Sequence, residues 1–250
     1  MSVIKAVLFD LDDTLWPIVP VIERAENVLY EWLKHHAPAV ACQVTIEGMR
    51  QRRQELMATD PVYQLDLKAL RHAVLVEAFR ENGGDVAMAE KAVDVFSRAR
   101  NEVTPFDDVL PTLTSLRDRV VLGSISNGVA DLHVIGIAHF FSASVAAHRF
   151  GRAKPDAAIF HAACEALDVA PHEAVYVGDD PLLDVQGAQN AGLQAVWINR
   201  PELGPARPLP DNIRPHAICT TLFELEHWLA AQEGWDTNSE FDLTRLGNRI

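Results

Sequence analysis

Two aspartates follow a short apolar stretch near the start of the chain. Residues 7–9 favour a buried strand, and Asp10 and Asp12 come directly after it. Residues i and i+2 of an extended chain project to the same side, so we expect the two carboxylates to lie together. Burying two like charges is costly unless a cation or a reaction uses them. The pair offers a nucleophile, a proton shuttle and part of a Mg²⁺ site, whereas the structural alternative is a helix cap by Asp12 or Asp13.

Two later segments offer groups that could hold a phosphoryl group. Ser126 ends a second strand-like stretch, where its hydroxyl and the nearby backbone at Asn127 could bind a phosphoryl oxygen. Lys154 lies just before a predicted helix, and its charge could offset that of the phosphoryl group and the attacking carboxylate. Taken alone, Ser126 fits a helix cap equally well and Lys154 fits a surface lysine. Arg152 is expected to face solvent.

A third segment places acids after another buried strand. Gly178 is expected to let the backbone turn, and Asp179 follows where a metal ligand at a strand end would lie. Asp184 can fold back to pair with Lys154 or to order a metal-bound water. Asp180 is expected to cap the next helix. Together the four segments supply the acids, hydroxyl and lysine that phosphoryl transfer needs.

The elements that position these residues alternate between strands and helices. Apolar stretches predict strands at 6–10, 120–126, 174–178 and 195–199. Helical patterns intervene, for example at 156–167 and 183–191. This alternation predicts an α/β fold with a parallel sheet flanked by helices, in which chemistry lies at the carboxyl ends of the strands.

A long insertion separates the first two strands. Residues 16–104 read as a helical cap, with helices predicted at 19–35, 45–57, 65–82 and 87–100. The catalytic core would then comprise 1–15 and 105–233, followed by a loosely held tail at 234–250. The insertion could be a lid that excludes water or a purely structural bundle. Its polar candidates for substrate contact are Arg50, Arg52, Arg53, Tyr63 and Arg71, although solvated helix faces explain most of them.

Composition narrows the classes of function. The 250 residues carry a formal net charge of −13, which argues against binding to nucleic acid or to an anionic membrane. We find no signal peptide and no apolar run long enough to span a bilayer, so the expected location is the cytoplasm. The expected partner is a small-molecule phosphate ester, and the expected state is a monomer or homodimer. The three cysteines are expected to be reduced, buried and inert.

At these residues the chain resembles the haloacid dehalogenase superfamily of hydrolases. Residues 10–14 match its first motif, Ser126 its second, 154–155 its third and 178–184 its fourth. The resemblance implies a Rossmann-like core with an inserted helical cap, a nucleophile at Asp10 and an acid/base at Asp12. It further implies that Mg²⁺ is held by Asp10, the backbone carbonyl of Asp12 and Asp179.

A closer resemblance concerns one group within that superfamily. Bacterial flavin-pathway phosphatases, which act on flavin mononucleotide and 5-amino-6-(5-phospho-D-ribitylamino)uracil, are similar to this chain. The similarity lies at residues 12–15, Arg24, Tyr63, 151–155, 178–180 and 197–198. It implies a Mg²⁺-dependent phosphatase that acts through an aspartyl phosphate.

Three alternatives remain open from the sequence. A dehalogenase of this superfamily uses the same nucleophile on carbon and generally lacks the second acid, so Asp12 favours phosphorus chemistry. A phosphomutase, or a phosphatase for a sugar phosphate or phosphoglycolate, would keep both acids. A non-catalytic binding module would show degenerate catalytic positions, and we see none.

Overall fold

The computed structural model describes residues 3–205, 208–232 and 235, which fall into two compact units. The core unit contains the described residues up to Pro17, Thr104–Asn127 and those from Gly136 onward. The helical unit contains Ile18–Val103 together with Gly128–Ile135, a segment that we predicted to belong to the core. The predicted tail, 234–250, lies outside the described residues except for Trp235, which is buried.

The core unit is built on one parallel sheet. Among the described residues its strands are β1 (Ala6–Phe9), β2 (Val121–Ser126), β3 (Ala143–Ala146), β4 (Ala174–Gly178), β5 (Gln194–Ile198) and β6 (Ala217–Cys219). Their order is β3-β2-β1-β4-β5-β6, and each adjacent pair is parallel. Every residue of β1, β2 and β4 is buried, as expected for strands covered on both faces. The predicted α/β fold with a parallel sheet is confirmed.

Helices and helical turns connect the strands of the core unit. They are α7 (Val109–Arg117), α9 (Ala147–Phe150), α10 (Ala157–Ala166), α11 (Gly187–Asn190) and α12 (Leu222–Ala230). A π-helical turn at Pro181–Gln186 precedes α11, so the single helix predicted at 183–191 is wrong in its first half. Short 3₁₀ turns occupy Ala138–Phe140, Pro171–Glu173 and Pro201–Leu203. The helices α7, α9 and α12 and the strands β3 and β6 were not predicted.

The helical unit encloses a hydrophobic core of its own. Its helices are α1 (Ile18–His36), α2 (Pro38–Ala41), α3 (Ile46–Thr59), α4 (Val62–Leu65), α5 (Leu67–Glu81), α6 (Met88–Arg100) and α8 (Leu132–Ile135). The helix α1 packs against α6, and α5 packs against both α3 and α6. Apolar side chains such as Leu29, Leu33 and Phe96 are buried between them. The four long helices agree with those predicted to within three residues at each end.

The topology of the sheet brings β1 to its centre. The chain first adds β2 and β3 on one side of β1 and then adds β4, β5 and β6 on the other. Ligands of open α/β sheets bind outside the carboxyl ends of the strands where the order reverses, here between β1 and β4. The backbone N–H of Asp10 extends the pairing past this point by donating to the carbonyl of Val177 at 2.9 Å.

Two further expectations concern the cysteines and membrane-spanning segments. Cys164 and Cys219 are buried, and burial raises the pKa of each thiol to about 11, but Cys42 is exposed, contrary to our prediction. Within the described residues, none of the helices is both long and apolar enough to cross a bilayer.

Candidate active site

The ends of β1, β2 and β4 meet at one edge of the sheet. Asp10 follows β1, Ser126 is the last residue of β2, and Asp179 follows β4. Lys154 comes from the loop before α10, whose N-terminus is capped when the Asp156 side chain accepts from the N–H of Ala158. Each of these segments leads from a buried strand or into a helix, so the backbone carrying the polar groups is held at one end by the core.

Lys154 is the central group of this site. Its ammonium nitrogen donates to Asp10 Oδ1 at 2.5 Å, to Asp184 Oδ1 at 2.7 Å and to the Tyr176 hydroxyl at 2.9 Å. The lysine side chain is only 3% exposed, so these three bonds replace the water it would otherwise bind. Lys154 is therefore a fully bonded buried cation that holds two carboxylates of different segments together.

Three buried carboxylates lie close together at this edge of the sheet. Asp10, Asp179 and Asp184 each place one carboxylate oxygen within 4.8 Å of the others. Asp184 also accepts from the N–H of Asp180 at 2.9 Å, which folds the π-helical turn back onto β4. Asp180 itself accepts from the N–H groups of Leu182 and Leu183, so its side chain caps that turn. The backbone at Asp179 is anchored to β5, because the Asp179 carbonyl accepts from the indole N–H of Trp197 at 2.8 Å.

Gly178 makes room for Asp184. A Cβ at Gly178 would lie 2.4 Å from the carboxyl group of Asp184, closer than any real side chain allows. We expected this glycine to allow a backbone turn, but its φ lies outside the left-handed region. The requirement is therefore one of space, because a side chain at this position would push Asp184 away from Lys154.

The electrostatics of the site follow from burial and from the excess of acids. Burial raises the pKa of Asp10 to about 7, while Lys154 opposes that rise. Burial alone would lower the pKa of Lys154, but Asp10 and Asp184 together raise it well above its usual value. Burial also raises the pKa of the Tyr176 phenol, so Tyr176 is neutral at pH 7.

Asp12 is held separately from this cluster. Its carboxylate accepts from the indole N–H of Trp16 at 2.9 Å, and Trp16 is fully buried. Between them Asp13 has a φ of 64°, and its N–H donates to the Trp16 carbonyl at 2.8 Å. Asp13 thus shapes a tight turn, and Asp12 and Trp16 form the two sides of that turn.

Ser126 and Asn127 have different surroundings. Ser126 is 4% exposed at the end of β2. The side-chain amide of Asn127 donates to the Lys154 carbonyl at 3.1 Å and accepts from the Lys154 N–H at 2.8 Å. The Asn127 side chain therefore fixes the backbone that carries Lys154. Any contact of Asn127 with a substrate would have to come from the Asn127 backbone. Arg152 is exposed and pairs with Asp156 at 2.8 Å.

Three residues of the site were missed in the sequence. Tyr176 appears there as one more apolar residue of β4, yet its hydroxyl accepts from Lys154 and lies 3.1 Å from the Ile125 carbonyl. The Thr14 hydroxyl donates to Asp10 Oδ2 at 3.3 Å. Arg200 donates two hydrogen bonds to the Thr14 carbonyl and forms an ion pair with Asp108 at 2.5 Å. The side chains of Arg200 and Asp108 are both buried.

The donor set fits a hard cation. Three buried carboxylates lie close together, and only Asp10 and Asp184 of them are bonded to the Lys154 ammonium. Burial is the main reason that the pKa of Asp10 is raised, and the charge of Asp184 adds to it. Carboxylate oxygens at this spacing match what Mg²⁺ prefers, with its remaining positions left to water or substrate. The residues that the resemblance names for the metal, Asp10, Asp12 and Asp179, come from the same two segments, and Asp184 joins them in the structure.

Comparison with known proteins agrees with this geometry. The family model of haloacid dehalogenase-like hydrolases matches residues 4–192. The 5-amino-6-(5-phospho-D-ribitylamino)uracil phosphatase of Escherichia coli is 31% identical, over 89% of this chain and 94% of that protein. The glyceraldehyde 3-phosphate phosphatase of Methanopyrus kandleri is 33% identical, over 85% and 91% of the two chains.

A solved structure points to the same family. The crystal structure of 2-haloacid dehalogenase from Pseudomonas syringae pv. Tomato has a TM-score of 0.83 and 38% identity, covering 91% of this chain and 98% of that one. The resemblance seen in the sequence motifs is confirmed. The chain belongs to the haloacid dehalogenase-like hydrolases.

Proposed function

We propose that this protein is a Mg²⁺-dependent phosphatase that hydrolyses a small-molecule phosphomonoester through an aspartyl phosphate on Asp10. The observation that carries the proposal is the buried contact of Asp10 with Lys154 beside Asp179 and Asp184, with Asp12 two residues along. An aspartate held by a lysine at the topological switch of a parallel sheet is a positioned nucleophile.

In the first half-reaction Asp10 attacks phosphorus. A carboxylate oxygen of Asp10 forms a bond to phosphorus while the bond from phosphorus to the ester oxygen breaks. Asp12, in its protonated form, donates a proton to the departing oxygen, so that an alcohol leaves. Lys154 and the Thr14 hydroxyl hold the two oxygens of Asp10 and thereby orient the attacking lone pair.

In the second half-reaction water attacks the phosphorus of the aspartyl phosphate. Asp12 accepts the proton of that water, and the bond from phosphorus to Asp10 breaks, which releases inorganic phosphate and restores both carboxyl groups. Ser126 and the backbone at Asn127 are proposed to bind phosphoryl oxygens, and Lys154 to offset their charge.

The metal site is proposed from the same residues. Asp10, the carbonyl of Asp12 and Asp179 would hold Mg²⁺, with Asp184 supporting the set through its contacts with Lys154 and the Asp180 backbone. Bound there, Mg²⁺ would neutralise charge on the phosphoryl oxygens. Phosphatases of this family generally use this ion, which supports the assignment.

A dehalogenase is the competing function, favoured by the solved structure of that name. Such an enzyme forms an ester between its aspartate and carbon, and it needs neither a metal nor a second acid. Asp10 would keep its task as the nucleophile, but Asp12 as a second acid and Asp179 as a metal ligand would have none. These acids favour phosphorus chemistry. A phosphomutase keeps the same acids, and a product assay separates it from a phosphatase through the release of phosphate.

The proposed substrate is a flavin-pathway ribityl phosphate. The support is the resemblance at residues 12–15, 151–155 and 178–180 and the similarity to the Escherichia coli phosphatase. A sugar phosphate or phosphoglycolate is the alternative. We further propose that the enzyme acts in the cytoplasm, as a monomer or homodimer, on small molecules and without nucleic acid or membrane. Its net charge of −13 supports the exclusion of polyanions.

A substrate panel tests this proposal. Flavin mononucleotide, 5-amino-6-(5-phospho-D-ribitylamino)uracil, glyceraldehyde 3-phosphate, phosphoglycolate and 2-chloropropionate are each assayed with Mg²⁺ and with EDTA. We expect Mg²⁺-dependent phosphate release, with the highest kcat/KM for the two ribityl phosphates. Strong turnover of the other phosphates with none of the ribityl phosphates would refute the substrate. Chloride release that persists in EDTA, without phosphatase activity, would refute the phosphatase.

A further inference from the structure

Arg71 is a buried cation of the helical unit for which no ion pair with a carboxylate is found among the described residues. Arg71 of α5 is 9% exposed, and its Nε–H finds no acceptor among the described residues. Its guanidinium carbon stacks over the ring of Phe96 at 3.3 Å from the ring centroid. A buried donor without an acceptor costs free energy, and a buried charge without a counter-ion costs more. Such a group is retained against that cost when a ligand completes it.

The nearest acid is already engaged. Glu26 of α1 is 3% exposed, and it accepts from Arg50 at 2.5 Å and also pairs with Arg53. Both of its oxygens are therefore taken by the arginines of α3. Burial first, and then the like charges of Arg53 and Arg100, lower the pKa of Arg71 to about 9, although Glu26 opposes this shift. Within the helical unit, positive charge is thus concentrated around Arg71.

We propose that Arg71 binds an oxyanion, such as a carboxylate, sulfate or phosphate group, in a site of the helical unit formed with Arg53. An oxyanion supplies the missing acceptor for Nε–H and balances the guanidinium charge at once. The Phe96 ring holds the plane of the guanidinium group, which fixes the direction of its donors. The other arginines of α3 do not offer such a site, because Arg50 and Arg52 are more exposed and paired with glutamates.

The oxyanion has two possible sources. It can be a free inorganic anion such as sulfate or phosphate, or it can be the carboxylate of a larger small molecule. Both sources use the same chemistry at Arg71, and competition with sulfate separates them.

Stability measurements form the first part of the test. The variant Arg71→Met keeps the apolar stem over Phe96 and removes the charge, and Arg52→Met is a matched control on an exposed, paired arginine. Without added oxyanion we expect Arg71→Met to raise Tm by about 2–4 °C, because a buried unpaired charge is lost. Arg52→Met should leave Tm nearly unchanged.

Sulfate binding forms the second part. Sodium sulfate is compared with sodium chloride at equal ionic strength, in EDTA, by calorimetric titration and by Tm. We expect the wild-type protein and Arg52→Met each to bind one more sulfate than Arg71→Met does. Sulfate should also raise the Tm of these two proteins by more than it raises the Tm of Arg71→Met. A sulfate bound at the catalytic residues would persist in all three proteins. Equal binding by all three, or a lower Tm of Arg71→Met, would overturn the proposal.

Competition identifies the source of the oxyanion. The ligands 3-phosphoglycerate and glycerol 3-phosphate differ by one carboxylate, and each is added to the sulfate titration in EDTA. If the anion is the carboxylate of a larger molecule, 3-phosphoglycerate displaces the Arg71-dependent sulfate at a roughly tenfold lower concentration than glycerol 3-phosphate does. If it is a free inorganic anion, the two compounds displace that sulfate equally. Sulfate binding needs no turnover, so failure of the phosphatase proposal leaves this test intact.

Discussion

Two buried cations, Lys154 of the core unit and Arg71 of the helical unit, have opposite surroundings. In the core unit Lys154 gives each of its three donors to a partner, two of them aspartates. In the helical unit the buried Nε–H of Arg71 meets no acceptor within the described part of the chain, and Arg53 and Arg100 act on it as like charges while Glu26 opposes them. The first arrangement stabilises a fixed geometry, whereas the second is stable only to the extent that a ligand completes it. The core therefore carries prearranged chemistry, and the helical unit carries a site that favours an anion.

The largest effect is expected at the nucleophile of the core unit. Asp10→Asn should lower kcat by about 10⁴-fold or more while the protein stays folded, because an amide does not attack phosphorus. Steady-state phosphate release and circular dichroism provide the measurement. Mg²⁺-dependent activity near the wild-type level in this variant would contradict the mechanism.

A smaller loss is expected at the proton shuttle. Asp12→Asn should lower kcat by about 10²–10⁴-fold, with a much smaller loss in the free energy of unfolding. The reason is that Asp12 transfers protons, whereas its contact with Trp16 is one hydrogen bond. Kinetics and urea unfolding of the same preparation give both numbers. Comparable losses of activity and stability would assign Asp12 a structural role.

Replacing Lys154 and Arg71 by the same residue sharpens the comparison between these two buried cations. Lys154→Met leaves Asp10 and Asp184 facing each other in the interior and should lower the free energy of unfolding by about 3–5 kcal/mol. Arg71→Met should instead stabilise the protein. Calorimetry of both variants without Mg²⁺ measures the contrast. A change of the same sign in both would remove the distinction between the completed and the incomplete cation.

Mg²⁺ should change the dependence of stability on pH. The pKa of Asp10 rises from 3.8 to about 7 on folding, so its neutral form favours the folded state and this contribution is lost as pH rises through 7. Mg²⁺ should restore stability at pH 8 and bind more weakly below pH 7, where a proton competes for Asp10. Tm at pH 6 and pH 8, with Mg²⁺ and with EDTA, tests this. A Mg²⁺ effect larger at pH 6 than at pH 8 would contradict it.

The sequence indicated those parts of the site that combine a local pattern with a chemical side chain. Asp10 and Asp179 stand out because an apolar strand ends in an acid, and the central strands were predictable from the same runs. Strands β3 and β6 were missed because they have only four and three residues, several of them partly exposed. Short edge strands carry little periodic signal.

Other parts depend on contacts between distant residues. Arg200 reaches the Thr14 carbonyl across 186 positions, and Tyr176 meets Lys154 only because β4 lies beside β1. In the sequence Arg53 and Arg71 cannot be told apart from Arg50, which is half-buried, and Arg52, which is exposed; only packing separates them. Burial and pairing of long polar side chains are tertiary properties that a local pattern does not encode.

The aspartyl phosphate on Asp10 is the central claim, and Asp12→Asn allows it to be observed directly. With p-nitrophenyl phosphate the leaving group needs no proton, so the first half-reaction proceeds without Asp12, whereas hydrolysis of the intermediate still needs its base. Acid quench in the presence of Mg²⁺, followed by mass spectrometry of the peptides, should show one phosphoryl group on Asp10 and a burst of p-nitrophenol. Release of p-nitrophenol and phosphate at equal rates, with no phosphoryl group on Asp10 at any time, would contradict the account.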